Sequence, residues 1–152
     1  MSMFQRYAGI GLLASMGAII VLGFAGAQGG NRDGFCMSNL KQVALATHFY
    51  SMDYDDTLPP MKTATAYLTS LQPYTKNTVI FTCPETQAMY QPNAKINHVK
   101  AVTIKTPATT WLVSDAKPHT DKLWSVAYVD GHVKQETKAP TGLTTLKSRK
   151  KK

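Results

Sequence analysis

Between Tyr7 and Ala27 the chain runs for 21 residues, YAGIGLLASMGAIIVLGFAGA, without a charged side chain. Wound as a helix at ~1.5 Å per residue, this stretch would reach about 32 Å, enough to span the ~30 Å hydrocarbon core of a bilayer. No other segment is comparable in length, so whatever follows is expected to fold outside the membrane that this one enters. Arg6 precedes the stretch, while Arg32 and Asp33 offset each other after it. The positive-inside rule then keeps residues 1–6 in the cytoplasm and exports the rest. Two fates follow for residues 7–27. Retained, they make a single-pass anchor in the cytoplasmic membrane, with the membrane itself as partner. Removed, they are a signal segment: Ala25 and Ala27 place small residues at the third-last and last positions before Gln28, and the product is secreted or periplasmic. The apolar run exceeds the roughly 7–15 residues of a signal core. Gly11, Ser15 and Ala18 also suit close helix packing in lipid. The anchor is the reading adopted.

Of 152 residues, about 120 remain for one small domain. Seventeen basic against nine acidic residues give a net charge of +8, but the distribution is uneven. From Lys134 to Lys152 there are seven basic residues and one acid, so most of the excess belongs to a tail and not to a binding face. Two cysteines, Cys36 and Cys83, fall in the exported part, where the compartment permits a disulfide. The alternatives are a bonded pair or two buried thiols. Without a paired CxxC, two cysteines make a poor zinc site.

Residues 28–34, QGGNRDG, form a Gly-rich break, with Asp33 as the expected N-cap of the next element. Phe35 to Met52 reads as an amphipathic helix, with Phe35, Leu40, Val43, Ala44, Thr47 and either Phe49 or Tyr50 on one face. It is expected to stop at Asp53-Tyr54-Asp55-Asp56, ahead of Leu58-Pro59-Pro60. A short helix follows over Thr65–Leu71, ended by Pro73, and then an apolar run, Val79-Ile80-Phe81. Residues 85–98 read as an irregular loop. Val99–Ile104, Thr110–Val113, Trp124–Val129 and His132–Thr137 read as strands, the last two joined by an Asp130-Gly131 hairpin turn. Residues 138–152 are expected to be a disordered basic tail. The fold class expected is α+β: an N-terminal membrane helix, then over residues 35–137 an amphipathic helix packed on a small antiparallel sheet.

Three separated blocks, in order, carry a resemblance. They are Cys36-Met37-Ser38-Asn39-Leu40-Lys41-Gln42 running to Leu58-Pro59-Pro60; Leu71-Gln72-Pro73-Tyr74 with Phe81-Thr82-Cys83-Pro84; and Pro107 to Asp115, His119 and Val129-Asp130-Gly131-His132-Val133-Lys134. Over residues 35–135 the chain resembles the pseudopilin-like proteins of the DUF1559 family, whose closing motif is a His followed about nine residues later by Asp-Gly. The resemblance implies a pilin-like domain linked to type II secretion or type IV pilus-like machinery, with self-association or pilin-like subunits as partners. Two departures stand out. The family's prepilin signal, Gly followed by Phe-Thr-Leu-Ile-Glu, is replaced by Met-Ser-Met-Phe-Gln-Arg, and the membrane stretch holds no Glu. Ten residues, not nine, separate His119 from Asp130.

Two places offer metal-ligating side chains. Asp53, Asp55 and Asp56 form an acidic cluster of the kind that suits Ca²⁺, which takes six to eight oxygen ligands, but the Gly and the Glu of an EF-hand loop are missing. A solvated acidic turn is the reading adopted there. His119 with Asp130, and with Asp115, Asp121 and His132 near in sequence, would make either a metal site or a clamp holding the loop to the hairpin; the clamp, or a plain loop with no such role, is preferred. No other cofactor is expected. No Ser has a nucleophile elbow around it, and P-loop, dinucleotide and HExxH motifs are missing, so no catalytic residue is assigned. Lys147–Lys152 contains no aromatic residue for stacking bases, and no nucleic-acid partner is expected.

Overall fold

Helix α1 (Arg32–Asp53) is the spine of the domain. The computed structural model describes residues 32–143. The expected membrane segment Tyr7–Ala27, the cleavage residues Ala25, Ala27 and Gln28, and the lysine run Lys147–Lys152 lie outside the described residues. Among the described residues, no helix is long and apolar enough to cross a membrane.

The start of α1 corrects the expected boundary. Arg32, Asp33 and Gly34 belong to its first turn, so the break ends earlier and Asp33 is not an N-cap. One exposed Gly inside a helix costs about 1 kcal/mol, which tertiary packing along 22 residues outweighs. Cys36, Leu40, Val43, Ala44, Thr47 and Ser51 turn inward. Phe35, placed in the core by its spacing, is 58 % exposed, and of Phe49 and Tyr50 it is Tyr50 that packs against the core. Thr47 donates from its hydroxyl to the Val43 carbonyl at 2.9 Å and meets the buried Tyr67 hydroxyl at 2.5 Å, tying α1 to α2.

The acidic residues end the helix by conformation. Asp55 and Asp56 both take left-handed backbone (φ 50° and 58°), and the Asp56 N–H turns back to the Ser51 carbonyl at 2.8 Å. Asp and Asn tolerate this region better than most side chains because their short polar groups can bond locally.

Helix α2 (Ala64–Thr75) is longer than expected and includes Pro73 in its last turn. Thr63 caps its start, accepting the Ala66 N–H at 3.1 Å, and left-handed Lys76 closes its end. Val79–Phe81 then forms a 3-10 turn.

The sheet is an antiparallel meander of β1 (Gln91–Pro92), β2 (Trp111–Ser114), β3 (Trp124–Tyr128) and β4 (Val133–Glu136), in that order. Strand β1 comes from the segment, residues 85–98, expected to be a loop. Val99–Ile104, expected to be a strand, makes a single bridge through Lys100 to Thr57 and then a 3-10 turn over Ala101–Thr103. β-branched composition favours a strand only where a neighbour offers a full ladder. Both faces of the sheet are covered. Val113, Ala127 and Val129 join the α1 and α2 core, while Trp111, Trp124, Val126 and Tyr128 pack together on the other side under Leu143. The Trp111 indole donates to the Thr141 carbonyl at 3.1 Å, so residues 138–143 form a strap on the sheet and the expected disordered tail does not begin at 138.

The β3–β4 turn is the Asp130-Gly131 hairpin read from the sequence, and it docks on α1. Lys41 Nζ donates to the Gly131 carbonyl at 2.6 Å. Gly131 has φ +85°, and a Cβ there would lie 3.2 Å from His48 Nε2. Gly131→Ala is therefore expected to lower stability by about 1–2 kcal/mol, from left-handed strain and crowding against His48. A thermal melt checks this, and an unchanged midpoint would mean the turn is free to move off the helix.

Candidate functional site

Three chain segments converge at one end of α1. Cys36 lies near the start of that helix. Cys83 and Glu85 lie in a tight excursion between Phe81 and Tyr90, closed by Tyr90 N–H to Phe81 O (2.9 Å), Cys83 N–H to Ala88 O (3.0 Å) and Gln87 N–H to Cys83 O (2.9 Å). Asp115 and His119 lie in the β2–β3 loop. That loop is held by Asp115 N–H to Ser125 O (3.0 Å) and His119 N–H to Leu123 O (2.8 Å), with Asp121 Oδ1 accepting the Leu123 N–H.

The side chains form one buried group. Cys36, Cys83 and Asp115 are 0 % exposed and His119 is 4 % exposed. Their ligating atoms all lie within 4.8 Å of one another. The two sulfurs stand 2.6 Å apart with no disulfide between them, longer than an S–S bond and closer than two unbonded sulfurs ordinarily rest. His119 Nε2 is 3.4 Å from Cys83 Sγ and 3.0 Å from Asp115 Oδ2. Asp115 Oδ2 also accepts the Ser125 N–H at 2.6 Å, whereas its Oδ1, fully buried, accepts no hydrogen bond from the described residues. On the far side of the imidazole, Nδ1 faces Glu85 Oε2 at 3.6 Å. Glu85 is fixed in turn, its Oε1 accepting both the Thr120 N–H (2.7 Å) and the Thr120 hydroxyl (2.9 Å).

Burial sets the electrostatics. It pushes the Cys36 thiol up to about 12, helped by the Cys83 thiol and opposed by the Glu85 N–H. Burial also raises the Asp115 carboxyl, with the Ser125 N–H and the His119 ring opposing it. Tyr90, whose hydroxyl donates to the Cys36 carbonyl at 3.1 Å, is raised by burial as well. An ionised carboxylate costs several kcal/mol to bury unless it is paired, so an acid and an imidazole beside two thiols are not incidental core residues. The donors gathered there, two thiols, a carboxylate and an imidazole, are groups that can ligate a metal ion or, for the thiols, cross-link.

The sequence reading placed the right residues in part. His119 does clamp its loop, but to Asp115, Glu85 and Cys83, and not to the hairpin. Asp130 stands in the exposed turn, where its carboxylate accepts the His132 N–H at 3.1 Å and faces His132 Nδ1 at 2.6 Å. The His132 N–H, then its ring, hold the Asp130 carboxyl below its ordinary range. The expected His119–Asp130 pairing is replaced by His119–Asp115. Asp53, Asp55 and Asp56 are exposed, and Asp53 accepts from the Tyr74 hydroxyl at 2.8 Å. Among the described residues, the side chains gathered for ligation are Cys36, Cys83, Asp115 and His119, and the three aspartates are not so gathered. The cysteines alone looked poor as a zinc site; the structure adds two further donors that sequence spacing did not connect to them. The signal available was the Asp115–His119 spacing of four. No family model, curated protein or solved structure matches this chain.

Proposed function

We propose that the chain is a non-enzymatic, exported, pilin-like protein, held in the cytoplasmic membrane by residues 7–27 with its α+β domain outside the cytoplasm. The observation that carries this reading is α1. It buries one face on an antiparallel sheet and leaves Leu45, Phe49 and Met52, at helical spacing, on the opposite side with Phe35, all 47–73 % exposed. A helix that follows an apolar segment and still shows an apolar stripe suits lateral packing of like subunits, as in a type II secretion or pilus-like assembly. The resemblance of three sequence blocks to pseudopilin-like proteins is what suggests the class of assembly.

Intact mass and fractionation of natively expressed protein test it. A chain retaining residues 7–27, found in membranes and digested only by protease added from outside, is the expected result. A soluble product beginning at Gln28 would replace the anchor with a secreted module.

A further inference from the structure

We propose that the reduced protein binds one Zn²⁺ ion through Cys36 Sγ, Cys83 Sγ, His119 Nε2 and an Asp115 carboxylate oxygen. This stands apart from the anchor reading, since it depends on the described domain alone. A disulfide between the cysteines would need neither a buried carboxylate nor a buried imidazole, yet both lie against the sulfurs. Two sulfurs, one imidazole nitrogen and one carboxylate oxygen are a four-ligand set for a tetrahedral, borderline-soft ion, and they offer too few oxygens for Ca²⁺.

The distances nearly suit. Ligands about 2.0–2.3 Å from a tetrahedral zinc stand roughly 3.3–3.8 Å apart. His119 Nε2 is already 3.4 Å from Cys83 Sγ and 3.0 Å from Asp115 Oδ2. The sulfurs, at 2.6 Å, must separate by about 1 Å. Asp115 Oδ2, the carboxylate oxygen beside the imidazole, also accepts the Ser125 N–H at 2.6 Å, which fixes the carboxylate in its place against the site.

The surroundings do what an outer shell does around a metal. Glu85, fixed by Thr120, faces the second nitrogen of His119 at 3.6 Å and would orient the ring. The Glu85 N–H faces the Cys36 sulfur and would stabilise its thiolate. Binding exchanges two S–H bonds for two S–Zn bonds and releases two protons to solvent, with no change in oxidation state. Disulfide formation competes: a thiol–disulfide exchange partner would accept the two electrons and two protons and leave a cystine without ligand sulfurs.

The test uses the full-length chain in detergent, reduced with a phosphine and stripped of metal by a chelator. Titration with Co²⁺ is expected to give one equivalent of tetrahedral d–d absorption with a thiolate charge-transfer band, both displaced by Zn²⁺. Cys83→Ala should lose the charge-transfer band, and Glu85→Gln should weaken binding about 10–100-fold. Asp115→Asn keeps the shape of the side chain and an acceptor for Ser125; with circular dichroism unchanged, it should bind Co²⁺ more weakly. The proposal is overturned if the reduced, folded chain shows no such spectrum. It is overturned equally if the spectrum survives in Cys36→Ala or appears unchanged in the oxidised protein.

Discussion

Oxidation of the Cys36–Cys83 pair is expected to raise the free energy of unfolding by ~4 kcal/mol, the chain-entropy value for closing a loop of this length. The residues are 47 apart in sequence and their sulfurs already touch in the core, so little native rearrangement is needed to join them. The link would fasten α1 covalently to the excursion that carries Cys83, two parts of the chain already joined by packing and by the Tyr90 hydroxyl on the Cys36 carbonyl. Urea unfolding of the full-length chain, metal-free, with and without a phosphine reductant, measures the effect, and a mass difference of about two daltons confirms the state of the sulfurs. A chain with both cysteines changed to alanine should ignore the reductant. An oxidised protein with the same midpoint as the reduced one would show that the pair does not constrain the unfolded state.

Leu40→Ala is expected to cost about 2–5 kcal/mol, and Phe35→Ala less than ~0.5 kcal/mol. Both positions lie on α1 and share an apolar spacing in the sequence, but Leu40 is fully buried while Phe35 is 58 % exposed. Deleting Leu40 leaves a cavity between α1 and the rest of the core, which the rigid sheet cannot collapse to fill. A domain of this size has about 5–15 kcal/mol to lose in all, so the change brings it towards unfolding at ambient temperature. Chemical denaturation of the two variants side by side decides it. Equal losses would place Phe35 in the core and rotate α1 about its axis.

The contrast between Phe35 and Leu40 shows what periodicity can and cannot say. A 3.6-residue pattern finds α1, and the Asp130-Gly131 pair finds the β3–β4 hairpin, because both signals are local. Neither says which of two adjacent apolar arcs meets the sheet; that is settled by contacts between distant segments. Val99–Ile104 has strand composition but only the short stretch Asp56-Thr57-Leu58 bonded beside it, while Gln91–Pro92 has none and still pairs with Val113 and Ser114 at the sheet edge. Pro is tolerated there because an edge strand can spare a donor. At the buried cluster, Cys36, Cys83 and His119 were each visible as residues of interest. Their convergence was not visible, since it requires the β2–β3 loop to fold back towards the start of α1. Asp130 misled for the opposite reason: it is close to His119 in sequence and is already occupied by its turn.

The strap over the outer sheet face divides the molecule optically. Both tryptophans of the chain, Trp111 and Trp124, lie beneath Leu143, and the buried Tyr67 and Tyr90 lie with the core on the opposite side of the sheet. Indole emission therefore follows the seating of residues 138–143, while Tyr67 and Tyr90 report on the helical face and Tyr128 lies with the indoles. One protein carries two separate reporters, and events at its two faces can be timed against each other without attaching a label.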